Sequence, residues 1–239
     1  MGSSFGVISQ TGNNIQTEGL VFYVDAAYKK SYPGTGTNAF NLASGSLTPT
    51  GSLINDTGFV GLLTSSFTFD GTDDYIECSN DSATDPQTNY SINAWVKLSS
   101  IGRQHSLLEK YDNTGSQGSY AFRINSGNKF QFYVIIGTSG ALVESSSTLS
   151  AGIWYNLCST QNFSTNTGIV YINGIQDNQS TSMNIGPATS NNPLKIGARG
   201  NDNNAKLQGN LACAHIYNRA LSAADVLQNY QAQKGRFGL

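Results

Sequence analysis

Apolar and aromatic residues return at every second position in one short segment after another. That alternation constrains the fold of this chain more than any other feature. "GLVFYVDA" (19–26), "SFTFDG" (66–71), "DYIECS" (74–79) and "YSINAWVKL" (90–98) all read as strands. So do "SLLEKY" (106–111), "YAFRIN" (120–125), "KFQFYVII" (129–136) and "ALVESS" (141–146). The later set is "IWYNLCST" (153–160), "GIVYING" (168–174), "PLKIGA" (193–198) and "NLACAHIYN" (210–218). β-Branched and aromatic residues fill these segments, and clusters of Gly, Asn, Ser and Asp separate them. About a dozen short strands with no helical crossover between them predict an all-β, two-sheet antiparallel sandwich.

One helix stands apart, in "LSAADVLQNYQAQKG" near the end of the chain. Ser222 is a natural N-cap, and Asp225 three residues later completes a capping box. Leu221 and Val226 have the spacing of a hydrophobic staple. Val226, Leu227 and Tyr230 are expected to form its apolar stripe, with Gly235 as its stop. No low-complexity linker divides the chain. Residues 1–18 read as an N-terminal arm and 19–239 as one domain that includes the helix and the apolar ending "RFGL", whose Phe237 and Leu239 should dock rather than stay exposed.

Composition narrows the function classes. Only 12% of the 239 residues are charged, the formal charge is −2, and the longest basic cluster is Lys29–Lys30. Nucleic acid is therefore not expected as a partner, because phosphate binding needs clustered Lys and Arg. No apolar run approaches the ~20 residues needed to span a bilayer. The opening "MGSSFGVISQTGNN" has neither a basic nor an apolar leader region, so no classical signal peptide is expected. Cys78, Cys158 and Cys213 are odd in number and far apart. They read as small buried hydrophobes rather than as disulfides or a metal knuckle.

The order of segments resembles a laminin-G-like, concanavalin A-like domain of the kind carried by bacteriophage virion proteins. The residues that carry the resemblance are "FYVDA…SYPGTG" at the start, "FTFDGTDDYIE", "YSINAWVKL" and "VYINGIQ", and "IYNRALS" leading into "GRFGL" at the end. The resemblance implies a jelly-roll sandwich of two curved antiparallel sheets. It also implies association with capsids, tails or fibres in phages, and with glycan or protein ligands elsewhere.

Three stretches are candidate sites. In "FTFDGTDDYIEC" the run Asp70-Gly71-Thr72-Asp73-Asp74 fits a tight hairpin connection whose aspartates bond the local backbone. The alternative is a calcium site built on Asp70, Asp73 and Asp74, since calcium takes six to eight oxygens. "KYDNTGSQGSY" offers Asp112, Asn113 and Ser116, and "ARGNDNNAKLQG" offers Asp202, Asn203 and Asn204, as ligand-binding loop residues or as solvated tips. Trp154 and Tyr155 could stack on a sugar, but their alternation places them in a sheet interface.

Catalysis finds little support. Glycoside hydrolysis needs a carboxyl pair across a cleft, and the chain has four glutamates, Glu18, Glu77, Glu109 and Glu144, with no alternating run. His105 and His215 are the only histidines, and no G-x-S-x-G elbow occurs. The leading expectation is a non-catalytic virion structural protein, a homo-oligomer assembled with other virion proteins in a host cytoplasm. The alternative is a carbohydrate-binding adhesin that recognises a host surface glycan through rim loops, and the third reading is a glycan-processing enzyme.

Overall fold

The computed structural model describes residues 14–43, 49–61, 64–85, 89–111, 119–136, 139–186, 189–200 and 205–239. Among them run β1 (Leu20–Asp25), β2 (Asn38–Phe40), β3 (Pro49–Ile54), β4 (Gly58–Val60), β5 (Ser66–Asp70) and β6 (Tyr75–Cys78). Next come β7 (Tyr90–Leu98), β8 (His105–Glu109), β9 (Ser119–Ile124), β10 (Lys129–Ile136) and β11 (Ser139–Thr148). The series ends with β12 (Trp154–Asn162), β13 (Thr167–Ile172), β14 (Ile175–Ser180), β15 (Lys195–Ile196), β16 (Gln208–Tyr217) and helix α1 (Ala223–Gln233).

The strands form two antiparallel sheets. Sheet I has the order β14-β13-β12-β7-β16-β5-β4, with β1 also pairing with β16. Sheet II has the order β11-β10-β9-β8-β15-β6-β3-β2. Alternation sends one side chain in two into the space between the sheets. From sheet II these are Leu53, Ile76, Ile196, Leu108, Phe122, Phe132 and Val143, one register row across the sheet and all buried. Phe67, Ile92, Val96, Leu157, Val170 and Leu211 meet them from sheet I. The all-β sandwich with one short C-terminal helix is thus the architecture that the alternation predicts. Cys78, Cys158 and Cys213 are buried and unbridged.

Three details differ from the sequence reading. The acidic stretch is not a hairpin, because β5 belongs to sheet I and β6 to sheet II. It is an arch that carries the chain over the rim of the sandwich. Alternation identifies a strand but not its partner. β2, β3, β4 and β14 also went unread, because two are three residues long and β14, "IQDNQS", is almost entirely polar. It survives as a strand because it closes the seam to β11, where Asp177 Oδ2 accepts the Ser146 and Ser147 N–H groups and Asn178 donates to the Glu144 carbonyl.

The helix begins as its sequence predicts, with the reciprocal Ser222–Asp225 capping box. The α-helix ends at Gln233, before Gly235, but a 3-10 turn, Lys234–Phe237, carries the chain through that glycine, and the left-handed stop is Gly238 at φ 73°. Of the expected stripe, Val226 is buried and Tyr230 packs on Trp95, while Leu227 is exposed; the other buried residues, Asn229 and Gln233, are polar. The reason is the surface beneath it. Asn229 donates to the Tyr217 hydroxyl at 3.1 Å, and Gln233 accepts the Trp95 indole N–H at 3.0 Å. Sheet I presents polar groups here, and a purely apolar helix would leave them unpaired.

Candidate functional site: the outer face of sheet II

The outer faces of the two sheets have different covers. Sheet I is sealed by α1 and the residues after it. Phe237 stacks on Trp95 with ring centroids 4.1 Å apart and lies 4.7 Å from Trp154, while Arg236 makes a two-bond pair with fully buried Asp25 at 2.7 and 3.0 Å. Residues 14–16 run along the same helix, with the Gln16 N–H donating to Asn229 Oδ1. Trp154 is therefore half-buried under Phe237, and Tyr155 packs on the central core.

Among the described residues, sheet II has no such helix. Its outward register row crosses all eight strands as Asn38, Ser52, Glu77, Lys195, Glu109, Ala121, Tyr133 and Leu142. A second row runs Ser106, Arg123, Gln131 and Glu144. Polar and charged side chains occupy nearly every outward position, because the apolar set of each strand is already used by the core. The pattern is legible only once the register is known.

The middle of this face is covered and its flanks are open. Glu109 is fully buried, and neither carboxylate oxygen closes a hydrogen bond among the described residues. Burial pushes its carboxyl up to about 7, against the opposing pull of Ser106, Arg123 and Arg199. Gly200 lies directly against the Tyr111 backbone, leaving no room for a side chain. Tyr111 and Gly200 are the described residues that border the two loops nominated by the sequence. Asp112, Asn113, Ser116, Asp202, Asn203 and Asn204 themselves lie outside the described residues.

On the β3–β6 flank, Ser52, Glu77, Ser79, Asn80 and Pro193 line an open groove of ≈ 390 Å³. Glu77 lies 3.5 Å from Lys195, and the Tyr75 ring is flanked by the ammonium groups of Lys195 at 5.1 Å and Lys206 at 4.2 Å. On the other flank, Arg123 Nε donates to Gln131 Oε1 at 3.0 Å, and Gln131 donates to Glu144 Oε2 at 2.6 Å. The Arg123 guanidinium sits 5.3 Å from the centre of the Tyr133 ring.

The arch brings Asp70, Asp73 and Asp74 together, with carboxylate oxygens within 4.8 Å of one another. Asp70 and Asp74 are engaged by the turn. Asp70 Oδ1 accepts the Thr72 N–H at 2.7 Å, and Asp74 Oδ2 accepts the Asp70 N–H at 2.9 Å. The Thr72 N–H holds the Asp70 carboxyl below its usual range, while burial pushes Asp74 up. Lys206 donates to the Asp73 carbonyl at 3.2 Å. The three carboxylates carry six oxygens, but Asp70 Oδ1 and Asp74 Oδ2 already accept turn N–H groups, which leaves four against the six to eight calcium takes.

The two glutamates that share the outer row, Glu77 and Glu109, flank Lys195 from the strands on either side of β15, which are two strand spacings or about 10 Å apart. A hydrolytic pair must reach its substrate with both carboxyl groups, and Glu109 has no exposed surface. His105 and His215 are buried, their imidazoles pushed down to about 4 and about 3 by burial and by the nearby Arg103 and Arg236.

Residues 70–227, well over half of the chain, match the family model of the concanavalin A-like lectin/glucanases superfamily. The chain belongs to this superfamily. No curated protein matches the sequence. Among solved structures, this superfamily member is similar to the binding domain of Paraclostridial Mosquitocidal Protein 1, at 16% identity and a TM-score of 0.69 over 90% of this chain and 52% of that one. It is also similar to the binding domain of botulinum neurotoxin DC in complex with SialylT, at 11% identity and a TM-score of 0.67 over 91% and 52%. A third likeness is to Trypanosoma rangeli sialidase in complex with the inhibitor DANA, at 13% identity and a TM-score of 0.63 over 93% and 34%. The chain thus spans about half the length of the toxin binding domains, and these likenesses share its fold.

Proposed function

We propose that this chain is a non-catalytic glycan-binding domain that uses the outer face of sheet II. The observation that carries the reading is the outward row and its neighbour. They set Glu77, Arg123, Gln131 and Glu144 beside Tyr75 and Tyr133 on a face that no helix covers among the described residues. Sugars are bound by aromatic planes for their C–H faces and by fixed donors and acceptors for their hydroxyls, and both are present. The superfamily includes lectins, and two of the similar structures are complexes, one with SialylT and one with the inhibitor DANA. These likenesses favour glycan binding over the virion-assembly role expected from the sequence. Carriage on a virion is compatible with it but is not needed for it.

The test is a glycan array probed with the full chain, followed by calorimetric titration of the best ligand. Selective binding supports the proposal. A chain that binds no glycan, yet assembles with copies of itself or with particle proteins, would restore the structural reading.

A further inference from the structure

The flank formed by β9, β10 and β11 carries a side-chain arrangement with no structural task of its own. Tyr133 lies across the neighbouring strand over Gly140, where a β-carbon would collide with the phenol. Only a glycine at that position lets the ring lie flat on the sheet. The Arg123 guanidinium stands 5.3 Å from the centre of that ring. Its orientation is set by a relay, in which Arg123 Nε donates to Gln131 Oε1 at 3.0 Å and Gln131 Nε2 donates to Glu144 Oε2 at 2.6 Å. Asn125 donates to the same Glu144 oxygen at 2.7 Å, which fixes the end of the relay. Among the described residues, the two terminal nitrogens of Arg123 make no hydrogen bond. Both Arg123 and Tyr133 are half-buried, so each keeps an open side.

A guanidinium held through Nε, with its Nη edge open, matches the two oxygens of a carboxylate. The Tyr133 ring, with Gly140 beneath it and the guanidinium over it, backs that group and leaves its edge to meet the body of a sugar. We infer that Arg123 and Tyr133 form a subsite for a carboxylate-bearing sugar, with the acid group on Arg123 and the sugar ring against the edge of Tyr133. The inference rests on the glycan-binding reading and narrows it to acidic glycans. The carboxylate could belong to a sialic acid or to a uronic acid, which share this chemistry. Gln131 and Glu144 are positioning residues that hold Arg123 in place.

The test uses the full chain with paired probes: 3′-sialyllactose against lactose, and a galacturonic acid oligomer against its carboxyl-reduced form. One acidic probe should bind at least about tenfold more tightly than its neutral partner, and the arm that does so identifies the source of the acid. Arg123→Lys keeps the charge but loses the fork, and with Arg123→Gln it should erase that preference while thermal unfolding stays near wild type. Tyr133→Ala should weaken acidic and neutral probes alike. Equal affinity for acidic and neutral members, or full affinity in both Arg123 variants, would overturn the subsite and leave the glycan reading standing. Binding to no glycan on the array would overturn both.

Discussion

The outer faces of sheets I and II both carry polar side chains, but they dispose of them in opposite ways. On sheet I three large polar groups have a partner on the C-terminal segment: Trp95 with Gln233, Tyr217 with Asn229, and Asp25 with Arg236. On sheet II the polar groups bond mainly to one another, as in the Arg123–Gln131–Glu144 relay, and keep one side open. A polar group turned toward its own chain serves stability, because unpairing it inside the protein is costly. A group oriented by a neighbour and left open is set up to meet something else.

The largest expected effect breaks the sealed face. Arg236→Ala leaves the fully buried Asp25 carboxylate without its cation, and removing one member of a buried pair typically costs about 3–5 kcal/mol. Denaturant unfolding should show the loss. Glycan affinity measured under folded conditions should not change, because sheet II is untouched.

Glu109 gives the next effect, and its sign is fixed by linkage. Its folded value is raised to about 7 from 4.5, so the folded state holds a proton that the unfolded state releases between those values. The contribution of Glu109 to stability is full below pH 4.5 and is lost as pH rises through about 7. His105 and His215, depressed from 6.5 to about 4 and about 3, act in the opposite sense and lose stability as pH falls below 6.5. Glu109→Gln removes only the first contribution. Relative to wild type it should gain stability between pH 5 and pH 8, by up to about 3 kcal/mol. A pH-independent difference in melting would show that Glu109 does not titrate there.

Two smaller effects test local chemistry. Ser222→Ala should cost about 1 kcal/mol by removing the helix N-cap. At the arch, Asp70→Ala should cost about 1 kcal/mol and Asp73→Ala within about 0.5, because Asp70 rather than Asp73 accepts the turn N–H groups. Calcium should leave the melting temperature unchanged. A calcium-dependent rise that vanishes in Asp73→Ala would make the acidic cluster a metal site after all.

Much of this architecture was legible in the sequence. "KFQFYVII" and "YSINAWVKL" are strands over the residues their alternation marks, and Ser222 and Asp225 announce the start of α1. These features are local, and period and capping chemistry act over a few residues. The candidate site was not legible. Arg123, Gln131 and Glu144 are distant enough in sequence to form no motif, and only the β9–β10–β11 register puts them in a line. The same lack of partner information made "FTFDGTDDYIE" look like a hairpin when it is a bridge between sheets. Helix α1 failed in a related way: its stripe was assigned by hydropathy, while its buried face was chosen by the polar surface of sheet I.

The central claim is that sheet II is the face that meets a ligand and sheet I the face that holds the fold. Backbone and side-chain NMR during titration with the best glycan from the array tests it directly. The account predicts shift changes concentrated at Arg123, Gln131, Tyr133 and Glu144, with α1, Trp95 and Trp154 unmoved. Changes confined to α1 and the outer face of sheet I, with sheet II silent, would contradict it.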